Sequence, residues 1–216
     1  MKTYRDHYFL RAKQDNYPAR SIYKLRELNK RFRLFGKGQR VLDLGAAPGS
    51  WSIGAAEYVG REGFVLGADI QGTDTPFPPN ILFCQEDVFN RSNRFEALLA
   101  EHGPFHVVIS DMAPSTTGHR ATDQARSAAL CEEAFMVACN NLRPGGHFLV
   151  KVFMGPDIKA LSDAMRKVFA RVQSFKPQSS RSESKETFYV GLGFKGVPAS
   201  AAEATPPEDP GGPPPV

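Results

Sequence analysis

Residues 41–52 read VLDLGAAPGSWS, and the order in which residue types change along them decides the fold. An apolar strand runs into a glycine turn, and the turn opens on a segment that continues as a helix. In open α/β sheets this succession is the context in which ligands bind at the carboxyl ends of strands. Gly45 and Gly49 are spaced G-x-x-x-G with Pro48 between them. A dinucleotide turn needs G-x-G-x-x-G and free backbone N–H groups for the pyrophosphate, so the spacing argues against a nicotinamide-linked oxidoreductase. Taken alone the turn is equally open to a structural reading, since many α/β turns carry two glycines and hold nothing.

The same apolar signature recurs outward along the chain, in RVLDLG (40–45), GFVLGADI (63–70), NILFCQED (80–87), HVVISDM (106–112) and GGHFLVKVF (145–153). Helical patterns lie between these runs, around 50–60, 92–102 and 121–141. Strands alternating with helices indicate a mostly parallel sheet covered on both faces. Upstream, SIYKLRELNKRF places Ile22, Leu25, Leu28 and Phe32 at helical spacing behind Ser21, a candidate N-cap, which predicts an amphipathic helix over 21–33. A further helix is expected over 156–170, and two closing strands near 172–176 and 186–194. The last twenty residues, VPASAAEATPPEDPGGPPPV, are rich in proline and poor in large apolar side chains, the composition of a disordered tail.

A length of 216 residues with 41% hydrophobic content suits one globular domain. No stretch resembles a signal sequence or reaches about 18 uninterrupted apolar residues, which predicts a cytoplasmic protein with no membrane span. Cys84, Cys131 and Cys139 form no C-x-x-C pair, and the five histidines form no ligating cluster. Neither a disulfide framework nor a metal site is expected. The net charge of +4 is unevenly spread: residues 1–40 carry twelve Lys and Arg against Asp6, Asp15 and Glu27. Tyr4, Tyr8, Phe9, Tyr17 and Tyr23 are interleaved with these cations. The segment therefore suits a polyanion such as RNA, or else a solvated basic face whose aromatics pack inward.

Three aspartates stand at strand ends. Asp69 closes GFVLGAD, twenty residues after Gly49, where a carboxylate can accept from ribose hydroxyls; Asp87 closes the next strand and Asp111 the one after. Carboxylates at successive strand ends beside a glycine turn describe a nucleoside pocket that binds no phosphate. Lys151 is the oddity of the set, a cation amid Phe148, Leu149, Val150, Val152 and Phe153. Either its stem lies on apolar surface with its head in water, or it enters the crevice and meets Asp111 as a general base or electrostatic stabiliser.

DLGAAPGSW, SDMAP, LVKVF and SSRSESKETFYV, taken in this order, resemble the motifs of the FtsJ/RrmJ family of S-adenosylmethionine-dependent RNA ribose 2′-O-methyltransferases. The resemblance spans roughly residues 3–195. It implies a Rossmann-like class I methyltransferase fold, an α/β architecture with a seven-stranded, mostly parallel sheet whose last-added strand is antiparallel. The family's Lys-Asp-Lys-Glu tetrad falls on Lys24, Asp111, Lys151 and Glu186. Its S-adenosyl-L-methionine contacts fall on Gly45, Gly49, Trp51, Asp69, Asp87 and Asp111. Ser50 stands where a third glycine is frequent, and Lys185 where serine or arginine is more usual. In this light residues 1–40 form an RNA-binding segment and 41–196 the catalytic domain, with 197–216 as tail. The implied reaction is methylation of a uridine ribose in the A-loop of 23S ribosomal RNA, within the large subunit, by a monomer. A transfer RNA substrate and a non-catalytic ribosome-assembly role are the alternatives. A base methylase would show an Asn/Asp-Pro-Pro-aromatic motif, which DMAP does not match.

Overall fold

The computed structural model describes residues 7–114, 117–153, 155, 158–181, 184 and 186–197. Two N-terminal helices, α1 (His7–Gln14) and α2 (Ile22–Phe32), precede the sheet. Then follow β1 (Arg40–Leu44), α3 (Ser50–Val59), β2 (Phe64–Asp69), β3 (Ile81–Gln85), α4 (Asn93–His102), β4 (Phe105–Ser110), α5 (Arg120–Asn141) and β5 (Leu142–Phe153). The chain closes with α6 (Ile158–Val168), β6 (Phe169–Phe175) and β7 (Glu186–Phe194). The sheet order is β3-β2-β1-β4-β5-β7-β6, parallel from β3 to β5, with β7 antiparallel to both of its neighbours.

Strand periodicity divides the core. On β1, Leu42 and Leu44 face the layer that contains Phe95 of α4, Ala134 of α5 and Met165 of α6. Val41 faces the opposite layer, with Leu25 of α2 and Ala55 of α3. On β5, Val150 and Val152 belong to the first layer and Leu149 to the second. Alternation puts Lys151 on the side of Leu149, the face covered by α2 and α3.

The closing elements differ in extent from the sequence reading. The last helix ends at Val168, and β6 begins at Phe169, three residues earlier than the apolar pattern suggested. Phe169 is fully enclosed and pairs with Phe194, which draws the strand back to the helix end. Ser21 has helical backbone angles and its side chain makes no cap bond. Its carbonyl accepts from Lys24 N at 3.0 Å and from Trp51 Nε1 at 2.9 Å, so the turn is satisfied through the main chain. Arg5, Tyr4 and the expected tail after Val197 lie outside the described residues.

Helix α2 reaches the core through Ile22, Leu25 and Leu28, all fully buried. Leu25→Ala is expected to cost about 2–5 kcal/mol of unfolding free energy, because the enclosed site cannot collapse around the lost methyls. Urea denaturation of the variant measures it.

Candidate active site

The strand order reverses between β1 and β4, which stay paired to their last residues, Leu44 and Ser110, and a ligand crevice is expected beyond that switch point. Gly45 makes the turn possible. Its φ is +81°, and a Cβ there would lie 2.6 Å from Met112 Cγ and 2.9 Å from Met112 N. The turn is held to β2 because Gly45 N and Ala46 N both donate to Ala68 O, at 2.8 and 3.1 Å. Beside it lies a cavity of about 310 Å³, lined by Gly45, Asp69, Asp87, Asp111 and the apolar Ile70, Phe89 and Leu130. The lining of one apolar clamp and several carboxylates is that of a nucleoside-sized ligand carrying positive charge.

Each aspartate has a structural duty as well. Asp69 Oδ2 accepts from Ala47 N at 2.9 Å and Oδ1 from Gln71 N at 2.8 Å, which ties the glycine turn to the end of β2. Asp87 accepts from Phe89 N at 2.9 Å and Asn90 Nδ2 at 3.1 Å. A carboxylate has about four acceptor directions, so both retain capacity for ligand hydroxyls or amines. Arg91 anchors this rim: it donates to Val88 O at 2.8 Å and bridges to Glu96 at 2.6 Å and to Glu133 of α5.

Gly49 and Trp51, expected among the cofactor contacts, do not line the cavity. Gly49 starts α3 at φ +114°, where a Cβ would strike the Phe77 ring at 2.6 Å. Trp51 is buried against Phe188, its indole committed to Ser21 O. Ser50 uses its hydroxyl to accept from Ala19 N at 2.7 Å, fastening the N-terminal segment to α3. That segment also packs its aromatics inward. Tyr17 and Tyr23 are buried, with Tyr17 Oη bonded to Glu57 and Tyr23 Oη to Asp15 at 2.8 Å, while Phe9 is exposed.

The remaining candidates converge at one place from four elements. Lys151 Nζ donates to Asp111 O at 2.5 Å and lies 3.1 Å from Asp111 Oδ1. Cys131 of α5 donates its thiol to Lys151 O at 3.1 Å, just past the last β4–β5 pair, Ser110 with Val150. Lys24 of α2 meets Glu186, the first residue of β7, at 2.6 Å. Burial pushes the Glu186 carboxyl up, but the hydrogen bond and charge of Lys24, aided by the charge of Lys151, outweigh it and hold the group below its usual range. Asp111 lines the first cavity. Lys24 and Glu186 line a second, of about 400 Å³, with Arg20, Ser21, Arg181 and Ser184. Lys151 pairs with Asp111 of the first cavity, and its charge is felt at Glu186 of the second.

Sequence reading passed over Asp43, although a carboxylate inside VLDL was a visible irregularity. It is fully buried on β1, accepts from Ser52 Oγ at 2.6 Å through Oδ2, and has no partner for Oδ1 among the described residues. Burial raises its pKa to about 7, against the Ser52 hydrogen bond, with the charges of Asp111 and Asp69 adding to the rise. Three carboxylates thus share one small volume under the glycine turn, a field that suits a cation. In the unfolded chain the group ionises near its ordinary value, so between about pH 4 and pH 7 the folded state binds the additional proton. Stability from this group therefore falls as pH rises through that window. Asp43→Asn should flatten that part of the melting temperature against pH curve, and scanning calorimetry from pH 4 to 8 reads it.

Comparison with known proteins gives the family. Residues 17–194 match the profile of the FtsJ-like methyltransferase family. The ribosomal RNA large subunit methyltransferase E of Oleidesulfovibrio alaskensis is 67% identical over 198 residues, covering 92% of this chain and 96% of that one. Its namesake from Nitratidesulfovibrio vulgaris strain Miyazaki F is 69% identical over 196 residues, covering 91% and 98%. In fold the chain is similar to a Plasmodium falciparum protein described as a ribosomal RNA methyltransferase, with TM-score 0.72 at 24% identity, covering 84% of this chain and all of that one. With a family match over nearly the whole described fold and relatives this close, the chain belongs to the FtsJ-like methyltransferases.

Proposed function

We propose that the protein transfers a methyl group from S-adenosyl-L-methionine to a ribose 2′ oxygen of large-subunit ribosomal RNA, a uridine of the 23S A-loop. The observation that carries the reading is the two largely enclosed ion pairs, Lys151–Asp111 with Asp111 lining the carboxylate cavity and Lys24–Glu186 lining the basic one. The names of the close relatives support the RNA class. Among the described residues no helix is long and apolar enough to cross a membrane, and the proposed setting is a monomer at work in the cytoplasm.

The cofactor would fit the first cavity because the Asp69, Asp87 and Asp111 carboxylates there suit its positive charge and its hydroxyl and amine donors. When bound it supplies an electrophilic methyl on a sulfonium. Gly45, Asp69, Asp87 and Asp111 hold it; Gly49 and Trp51 shape the turn from behind. Lys24 and Glu186 position the acceptor ribose, and the neighbouring Arg20 and Arg181 attract its phosphates. Lys151 takes the 2′ proton at Nζ once it has itself given up a proton, while Asp111 orients it. Holding both reactants in line contributes about 7–11 kcal/mol of the barrier reduction, and a positioned base a further factor of about 10²–10⁴.

Labelled methyl transfer to large subunits, free 23S ribosomal RNA and transfer RNA, followed by mapping of the modified ribose, tests the substrate. Label on a transfer RNA alone, or on a base, overturns the reading. Lys151→Arg retains the positive charge but cannot deprotonate. It is expected to keep cofactor affinity and lose about 10²–10⁴-fold in single-turnover rate, whereas Lys24→Arg keeps more of it. A Lys151→Arg enzyme with a substantial rate and an unchanged pH profile would make the lysine a fixed cation.

A further inference from the structure

We infer that Glu27 is a positioning residue for the Lys24–Glu186 pair, acting as a clamp that α2 places on the loop ahead of β7; the inference rests on the reaction proposed above. Glu27 stands three residues after Lys24 on α2, on the adjoining part of one helix face. Such spacing would allow the two to neutralise each other locally. The carboxylate is used elsewhere. Glu27 Oε2 accepts from Gln178 N at 2.6 Å and Oε1 from Ser179 N at 2.9 Å, two successive amides of the β6–β7 loop. Arg20, just before α2, donates to Ser179 O. One helix turn and the residue leading into it thereby satisfy two N–H groups and a carbonyl of the loop.

The loop needs such an anchor because the sheet does not supply one. The β6–β7 ladder begins at Phe175 with Phe188, so Glu186 is paired only on its β5 side, with Phe153. On the other side its backbone N–H donates to Ser184 Oγ at 3.3 Å and the next residue, Thr187, donates its hydroxyl to Phe175 O at 3.0 Å, so its contacts there run to the loop and to the end of β6 and not through a ladder. Nearer the turn, Ser180 N donates to Pro177 O at 3.2 Å and Lys176 Nζ to Ser184 O at 2.8 Å, which keeps the loop compact without attaching it to anything else. The carboxylate of Glu27, with Arg20 beside it, attaches the loop to α2. Since Lys24 sits on the same helix, any shift of α2 carries both the cation and the clamp on its partner's loop. The 2.6 Å contact between Lys24 and Glu186 is kept by geometry that moves together. Both amide bonds are charge-assisted, the stronger class, and the bidentate form fixes direction as well as distance.

Glu27→Gln tests it. Its amide can accept from one N–H and turns a donor toward the other, so the loop should loosen. Two readouts are measured on the full chain. In hydrogen exchange, the amides of Gln178 and Ser179 should be protected in the wild type and exchange rapidly in the variant. In single-turnover methylation of large-subunit ribosomal RNA at saturating RNA and S-adenosylmethionine, the rate should fall by about 10-fold to 10²-fold with cofactor affinity unchanged, the size of effect expected from a small misplacement. In a Glu186→Gln background the same change should add little, because the clamp acts through Glu186. Glu27→Asp, which keeps the charge but shortens the reach, should fall between, and it replaces Glu27→Gln should that variant not fold. Protected amides in the variant, an undiminished rate, or an equal loss in both backgrounds overturns the inference. A wild type that transfers no methyl to ribosomal RNA refutes the proposed function instead, and the exchange data then decide the clamp on their own.

Discussion

An ammonium placed inside a sheet must be matched by something that stays put, and the match between Lys151 and Asp111 is the condition on which the rest of the site depends. Desolvating an unpaired charge costs several kcal/mol, so the lysine is tolerable only where a carboxylate and a carbonyl of the adjoining strand end meet it. That demand fixes where β4 may stop and how far β5 must run beyond it. β4 pairs no further than Ser110, while Lys151 continues the ladder with Phe188 of β7, and its carbonyl accepts from the Cys131 thiol. Burial pushes this thiol up to about 11, which leaves it protonated and able to donate.

The same edge concentrates negative charge. Asp43, Asp69 and Asp111 are near enough that the latter two raise the proton affinity of the first. A folded protein gains nothing from such crowding by itself, and a cationic occupant relieves it. Lys151 relieves part of it by pairing with Asp111, while Lys24 is engaged with Glu186 instead. One cavity is thus lined by carboxylates and the other is edged by Arg20 and Arg181.

Much of this was legible in sequence, for reasons that differ by residue. The strands announced themselves by apolar runs alternating with helical spacing, and Asp69, Asp87 and Asp111 were found because an aspartate at a strand's carboxyl end in an open sheet has a predictable location. Lys151 was conspicuous as a cation where none belonged. Lys24 and Glu186 were different: no local pattern distinguishes a helix lysine or a strand-starting glutamate, and only resemblance to a family joined them. Gly49 and Trp51 lie in the same motif but outside the cavity lining, Gly49 against Phe77 and Trp51 against Phe188, a placement that depends on which way each residue faces. Asp43 and Glu27 escaped because their roles consist of long-range contacts to Ser52 and to the 178–179 amides. The β6 boundary moved because Phe169 is drawn in by Phe194, a tertiary choice that the local pattern does not encode.

The reversed direction of β7 has a further meaning. Strands that run with the sheet reach its reactive edge with their last residues, whereas β7 reaches it with its first, Glu186. The pair it forms with Lys24 joins an early helix to the latest strand of the fold. The residues that line the carboxylate cavity all lie between β1 and α5, so every one of them precedes β7 in the order of synthesis. The ion pair of Lys24 with Glu186 is the part of this edge that is closed last, by the end of the chain that is made last.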